Sequence, residues 1–324
     1  MNRLLLQVTY RCTSRCSHCI YCSNDKVGGA LTAGDVERII HQTRPRQCVI
    51  FTGGEASLVP DVVIAGIKVA SSLGIESWLN SNGSWGKDPV FAKEYAEALV
   101  AHGLARANIS VDALHQEFVP VDSVLNAIRA LHAAGVKTIK ALVTFINRKQ
   151  GLLLDQRTEE LLTMLNSEPG VIPDIRPTVG FSGRAIFALQ SHAPQLSLDA
   201  AMSGSCGEED DTGAIHDLTD CSYYDVGAEG KVFICQGFAY PGSLLNMAFS
   251  DIINKENMLR HPLIAAFQEN GVKGLLDAAL AEGYRAKEYY TGKCHVCWDC
   301  RNFLRQRFPD ILTPIHAYEP DLIA

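Results

Sequence analysis

Six short apolar runs, rich in β-branched residues, alternate with amphipathic stretches through about the first 180 residues, which is how the βα units of a parallel sheet read. The predicted strands are Leu4–Thr9, Cys48–Thr52, Ile75–Asn80, Ala107–Val111, Thr138–Phe145 and Asp174–Val179. Helices fit between them. Thr32 followed by Asp35 resembles a capping box opening a helix that carries Val36, Ile39 and Ile40. Another helix begins near Asp122, sets Val124, Leu125, Ile128 and Leu131 along one face, and stops at Gly135. The pattern predicts an α/β fold, a partial (β/α)6 TIM-type barrel with its chemistry at the C-terminal ends of the strands.

The 324 residues suffice for a real core, and 47% apolar and 20% charged residues are ordinary for a globular chain. No apolar run approaches the roughly 18 residues of a membrane span, so no membrane is expected. The opening M-N-R-L-L-L-Q-V-T-Y has too short an apolar stretch for a signal peptide, which predicts a cytoplasmic location. A net charge of −7 without a Lys/Arg stripe argues against nucleic acid as a partner.

Eleven cysteines without a secretion signal are not expected to form a disulfide framework. Four lie from Cys12 to Cys22, six from Cys206 to Cys300, and Cys48 alone between them reads as a packed core residue. The run C-T-S-R-C-S-H-C places Cys12, Cys16 and Cys19 in one loop directly after the first strand. Soft thiolates suit an iron–sulfur cluster, each iron of a cubane needs one protein ligand, and three ligands leave one iron open to a small chelating molecule. A zinc knuckle completed by Cys22 or His18 is the alternative. From Phe181 to Asp220 the chain reads as connecting loop or lid, and from Cys206 a second unit begins, with K-V-F-I-C as a hairpin strand and Leu263–Glu269 as a helix.

C-x3-C-x2-C after the first strand, followed by T-G-G-E at the end of the second, resembles the radical S-adenosylmethionine superfamily. The resemblance implies that Cys12, Cys16 and Cys19 hold a 4Fe-4S cluster whose open iron chelates S-adenosylmethionine. Gly53 and Gly54 would let backbone approach that ligand and Glu55 would pair with its ammonium. N-S-N-G and S-V-D-A end the next two strands, and the resemblance places Ser110 and Asp112 on the ribose or carboxylate, with Asn82 beside them and Tyr21 at the adenine. Cys22 is extra, as a packed thiol or a hydrogen-atom donor. His115 and Arg176 are candidates for substrate contact or for hydrogen-bonded structure.

Cys221 followed by Gly230-x4-Cys235, and then Cys294-x2-Cys297-x2-Cys300, resembles the SPASM and twitch domains, which implies one auxiliary 4Fe-4S cluster drawing on these five cysteines in a small C-terminal α+β domain. A zinc site is the alternative there. Cys206 is left as a hydrogen donor to a substrate radical. The organisation expected is a barrel over 1–185, a linker or lid over 186–220 and the cluster domain over 221–324. The implied function is hydrogen abstraction from a substrate carbon after reductive cleavage of S-adenosylmethionine, with a flavodoxin- or ferredoxin-type reductant. The first substrate expectation is a ribosomally made peptide that is crosslinked, oxidised or epimerised. A dehydrogenase or mutase of a small secondary metabolite is the second, and a non-enzymatic iron–sulfur or zinc protein is the reading of another class.

Overall fold

The computed structural model of the chain describes residues 1–208 and 214–319; Glu209–Gly213, the end of the acidic loop, lie outside the described residues. Its strands are β1 (Arg3–Thr9), β2 (Cys48–Gly53), β3 (Glu76–Ser81), β4 (Leu104–Ser110), β5 (Thr138–Thr144), β6 (Val171–Arg176), β7 (Tyr223–Val226), β8 (Val232–Cys235) and β9 (Phe238–Ala239). They form one sheet in the order β6-β5-β4-β3-β2-β1-β7-β8-β9. The first six are parallel, β7 adds in parallel to the other side of β1, and β8 and β9 follow antiparallel.

Strand β1 therefore sits in the middle of the sheet, and Leu4, Leu6 and Val8 are wholly buried on its helix-packed face. Alternation sends Leu5, Gln7 and Thr9 to the opposite face. Leu5 of β1, Thr52 of β2, Asn80 of β3, Ser110 of β4, Thr144 of β5 and Arg176 of β6 all line one cavity. In a flat sheet β1 and β6 would lie roughly 24 Å apart at ~4.8 Å per strand, so the sheet curls strongly. It stays open, because β6 and β9 are its edges among the described residues.

Local rules account for most elements. Thr32 and Asp35 form the capping box of the helix Ala33–Thr43, whose Val36, Ile39 and Ile40 are buried. Gly135, at φ 91°, ends the helix Val121–Ala134 in the left-handed conformation. The sixth strand lies three residues earlier than the sequence reading put it, because Pro177 cannot continue the ladder and pairing with β5 begins at Val171. Pro173 is tolerated within it because β6 is an edge.

The helix expected over Leu263–Glu269 is longer. It runs Pro262–Ala281 across a kink at Gly271, where φ is 57°. The segment read as linker or lid holds short helices at Ala185–Ala188 and Leu198–Met202, and Leu196 exchanges backbone hydrogen bonds of 2.9 Å with Tyr290. One continuous apolar cluster extends from Leu4 through Tyr224 and Phe267 to Tyr318. Among the described residues no helix is long and apolar enough to cross a membrane.

Candidate active site

Between the end of β1 and Asn24 the chain forms the cysteine loop. Cys12 N donates to Asn24 O at 2.8 Å and Cys19 N to Cys16 O at 3.0 Å, which folds the loop back on itself. Arg184 holds it from outside: its backbone N donates to Cys19 O at 3.0 Å, Nη1 to Cys16 O at 2.8 Å and Nη2 to Ser23 O at 2.9 Å. Gly183 lets this clamp close, since a Cβ there would fall 2.5 Å from Ile20 O. Sequence reasoning missed both residues.

The T-G-G-E turn meets the same loop. Gly54 N donates to Thr9 O at 2.7 Å and Glu55 N to Arg11 O at 2.8 Å. A Cβ on Gly54 would lie 2.1 Å from Arg11 O, and one on Gly53 2.2 Å from Thr9 O. The glycines are thus required by the loop's own backbone, as well as leaving the adjoining cavity wall bare. Gly54→Ala is expected to push Arg11 and Cys12 outward, to cost about 1–3 kcal/mol as overpacking does, and to lower iron per chain after reconstitution; calorimetry and iron analysis check both.

Glu55 is buried, and its carboxylate accepts from Ser57 N at 3.0 Å, Ser81 Oγ at 2.7 Å and Asn82 N at 2.7 Å. In this structure it ties the end of β2 to the end of β3 rather than facing the cavity. Asn82 carries the link to the loop, donating to Thr13 Oγ1 at 2.9 Å and Ser14 Oγ at 3.0 Å, with Cys12 Sγ at 3.8 Å.

Cys12, Cys16 and Cys19 line one cavity of about 310 Å³ with Gly53, Gly54, Asn82 and Ser110. That volume is at the lower end of the range of small-ligand sites. Asp112 lies just behind the wall, fully buried, where its carboxylate accepts from Thr144 N at 3.2 Å and holds His115 Nδ1 at 2.9 Å. Burial works to raise this carboxyl, but the His115 imidazole and its hydrogen bonds outweigh burial and hold it low. His18 packs edge-on against His115 at 4.6 Å, and burial first, then His115, pulls its pKa down to about 4.

Tyr21 also lines the cavity, and its hydroxyl donates to Asp225 Oδ2 at 3.0 Å. Gln7 Nε2 reaches both oxygens of that carboxylate at 2.9 Å. Asp225 has only these neutral side-chain partners among the described residues, and burial raises its pKa to about 6 against the hydrogen bonds of Gln7 and Tyr21. Nothing local marks it in the sequence; it stands behind Tyr21, outside the cavity wall itself, because β7 pairs with β1 and sets it opposite Leu5.

A second cavity gathers Cys206, Cys235, Cys294 and Cys297 with Arg301 and Trp298. Cys221 and Cys300 are not in its wall. The Cys221 thiol donates to Leu218 O at 3.4 Å beside His216, and Cys300 is wholly buried. Cys294 and Cys297 sit one turn apart on the helix Lys293–Leu304, whereas Cys300 falls about 120° round from Cys294 at ~100° per residue. Cys206, expected as a hydrogen donor, lies here and not in the first cavity's wall. Ile20 lines both cavities and separates them.

The donor sets fit iron–sulfur clusters on chemical grounds. Each iron of a cubane takes its own thiolate, so cluster ligands are spread more widely than the ligands of a single ion. Among the described residues no three cysteines converge within 4.8 Å, and the set that does is His18, Asp112 and His115. That set is already bound together by the Asp112–His115 hydrogen bonds. The Cys12 thiol is pushed up to about 12 by burial and Glu55, so a cationic partner is needed to hold it as thiolate.

Residues 6–149 match the family model described as the Radical SAM superfamily. Among solved structures, anSMEcpe with bound AdoMet and Cp18Cys peptide is 12% identical, with a TM-score of 0.51 over 95% of this chain and 98% of that one. SuiB of Streptococcus suis bound to the precursor peptide SuiA is also 12% identical, with a TM-score of 0.50 over 97% of this chain and 75% of that one. At such identities these likenesses speak for the fold, and the family match speaks for the chemistry of the domain. Residues 6–149 are a domain of the radical SAM superfamily, and the chain is an enzyme of that hydrogen-abstracting class.

Proposed function

We propose that this enzyme removes a hydrogen atom from a carbon of a ribosomally made peptide, that the substrate radical then gives an electron to an oxidised auxiliary cluster in the second cavity, and that Asp225 takes up the proton released with it. The observation that carries the reading is the convergence of three cluster cysteines, a glycine turn and the polar ends of the strands on one cavity. Cys12, Cys16 and Cys19 would hold the first 4Fe-4S cluster, with the partly barrelled sheet around it. Bound there, the cluster supplies the electron that cleaves S-adenosylmethionine to methionine and a 5′-deoxyadenosyl radical.

The remaining work falls to the chain's own side chains. Asn80, Ser81, Ser110 and Thr144 present amide and hydroxyl groups for a nucleoside and an amino acid. Arg184 and Asn82 hold the cysteine loop so that its thiols keep their spacing. Tyr21 and Gln7 fix the Asp225 carboxylate, and Oδ1, which the Tyr21 hydroxyl leaves open, is the oxygen that accepts the proton. Cys206, Cys235, Cys294 and Cys297 would hold the auxiliary cluster, with Cys221 and Cys300 outside its ligand set.

A peptide is favoured over a small metabolite because two solved chains sharing this fold were captured with peptides. The test is anaerobic incubation of reconstituted enzyme with a one-electron reductant, S-adenosylmethionine and peptides encoded beside its gene, deuterated at candidate carbons. The expected result is 5′-deoxyadenosine carrying deuterium. Cleavage without label transfer from any peptide would remove the substrate class, and no cleavage at all would remove the reading.

A further inference from the structure

Arg301 projects from the helix Lys293–Leu304 into the wall of the second cavity and is 4% exposed. Its Nε donates to Cys297 O at 3.3 Å, and Nη1 donates to Gln236 O at 2.5 Å and to the Tyr318 hydroxyl at 3.3 Å. Its guanidinium carbon stands 5.7 Å from the Tyr318 ring centre and 5.9 Å from that of Phe238. No carboxylate among the described residues comes within ion-pairing distance of it.

A guanidinium does not deprotonate in a protein, so this is a permanent buried charge whose partners are neutral. Such a charge is costly unless an anion accompanies it. Two neighbouring cations each have a carboxylate partner: Lys287 meets Asp299 at 2.9 Å and Arg305 meets Glu319 at 2.6 Å. What Arg301 faces instead is a cavity whose wall carries four cysteines. A cubane held by four thiolates is a net anion, and net charge and nearby dipoles are among the levers on its potential.

We propose that Arg301 is the fixed counter-charge of the second cysteine centre, a positioning residue that sets the reduction potential of the cluster bound there. The inference rests on the reading that Cys206, Cys235, Cys294 and Cys297 hold a cluster. The hydrogen bonds to Cys297, Gln236 and Tyr318 keep the guanidinium in place, tying the Cys294–Cys297 helix to the β8–β9 turn that follows Cys235. A fixed positive charge favours the more reduced, more negative cluster, so its removal lowers the potential.

The experiment uses the full chain with Cys12, Cys16 and Cys19 replaced by Ala, so that iron reports the second centre alone. Arg301→Gln and Arg301→Lys are compared with the parent by iron analysis and by EPR-monitored redox titration. The parent is expected to hold about four irons. In Arg301→Gln the oxidised-to-reduced ratio at a fixed potential rises about tenfold, a fall of ~59 mV for a one-electron couple. Arg301→Lys, which keeps the charge, stays near the parent. Absence of iron from the folded parent would remove the cluster reading itself. A loaded Arg301→Gln variant with the parent's potential would overturn the role of Arg301 and leave that reading standing. Should Arg301→Gln fail to fold, Arg301→Lys decides: a potential near the parent's supports the proposal, and one displaced downward despite the retained charge overturns it.

Discussion

Cys16→Ala is expected to abolish formation of 5′-deoxyadenosine while leaving the chain folded. The thiol is buried, but the anchors of this part of the loop are backbone groups: Cys16 O accepts from Cys19 N at 3.0 Å and from Arg184 Nη1 at 2.8 Å. Alanine keeps that carbonyl and removes only the sulfur. Burial, then the neighbouring Cys19 and Cys12, raise the Cys16 thiol well above its ordinary value, so without a metal it is a neutral packed group whose loss costs about 1–2 kcal/mol. In the proposed cluster it would be one of three ligands, and two thiolates do not retain a cubane. Iron per chain is expected to fall by about four and product by at least ~10³, since the uncatalysed alternative is negligible. Anaerobic reconstitution, iron analysis and mass spectrometry of the nucleoside measure both. Undiminished cleavage would mean that another residue completes the cluster.

Much of this site was legible because its signals are local. The three cysteines fall in one loop, the glycines follow β2 at once, and Thr32 with Asp35 or Gly135 need only their own neighbours to form a cap. What the sequence did not disclose are contacts between distant segments. Arg184 and Gly183 grip a loop more than 160 positions earlier, as the Arg184 bond to Cys16 spans 168 residues. Asp225 meets Tyr21 of the first cavity only because β7 extends the sheet beside β1, a pairing that no periodicity encodes. The presence of Cys206 rather than Cys221 in the wall of the second cavity has the same origin. The Cys221 position satisfies a motif along the chain, but its thiol is turned to Leu218 and His216, while Cys206 arrives from the preceding loop. Spacing identifies which residues are metal-ligating in kind; the tertiary fold decides which of them share a cavity.

Asp225→Asn is expected to lower substrate conversion relative to S-adenosylmethionine cleavage by about 10²–10⁴, the usual worth of a positioned general base. The amide keeps the shape of the carboxylate; its oxygen still accepts from Gln7 Nε2 and its NH2 donates to the Tyr21 hydroxyl, so the change removes the proton acceptor and one of the two Gln7 contacts. The same substitution has an opposite effect on stability, and the sign follows from linkage. Burial raises the Asp225 carboxyl from 3.8 to about 6, so the folded chain holds this proton more tightly than the unfolded chain does. Between about pH 4 and pH 6 the native state then binds more protons, and stability falls as pH rises through that window. Above it the full penalty of a half-buried carboxylate without a cationic partner is present, ~1–3 kcal/mol for a shift of this size. Asp225→Asn carries no such penalty. Its melting temperature should exceed that of the parent at pH 7 to 8, with the difference vanishing toward pH 4. A variant that uncouples radical formation from product separates a base from a scaffold residue, because replacing a merely structural aspartate leaves the ratio of product to cleaved S-adenosylmethionine where it was.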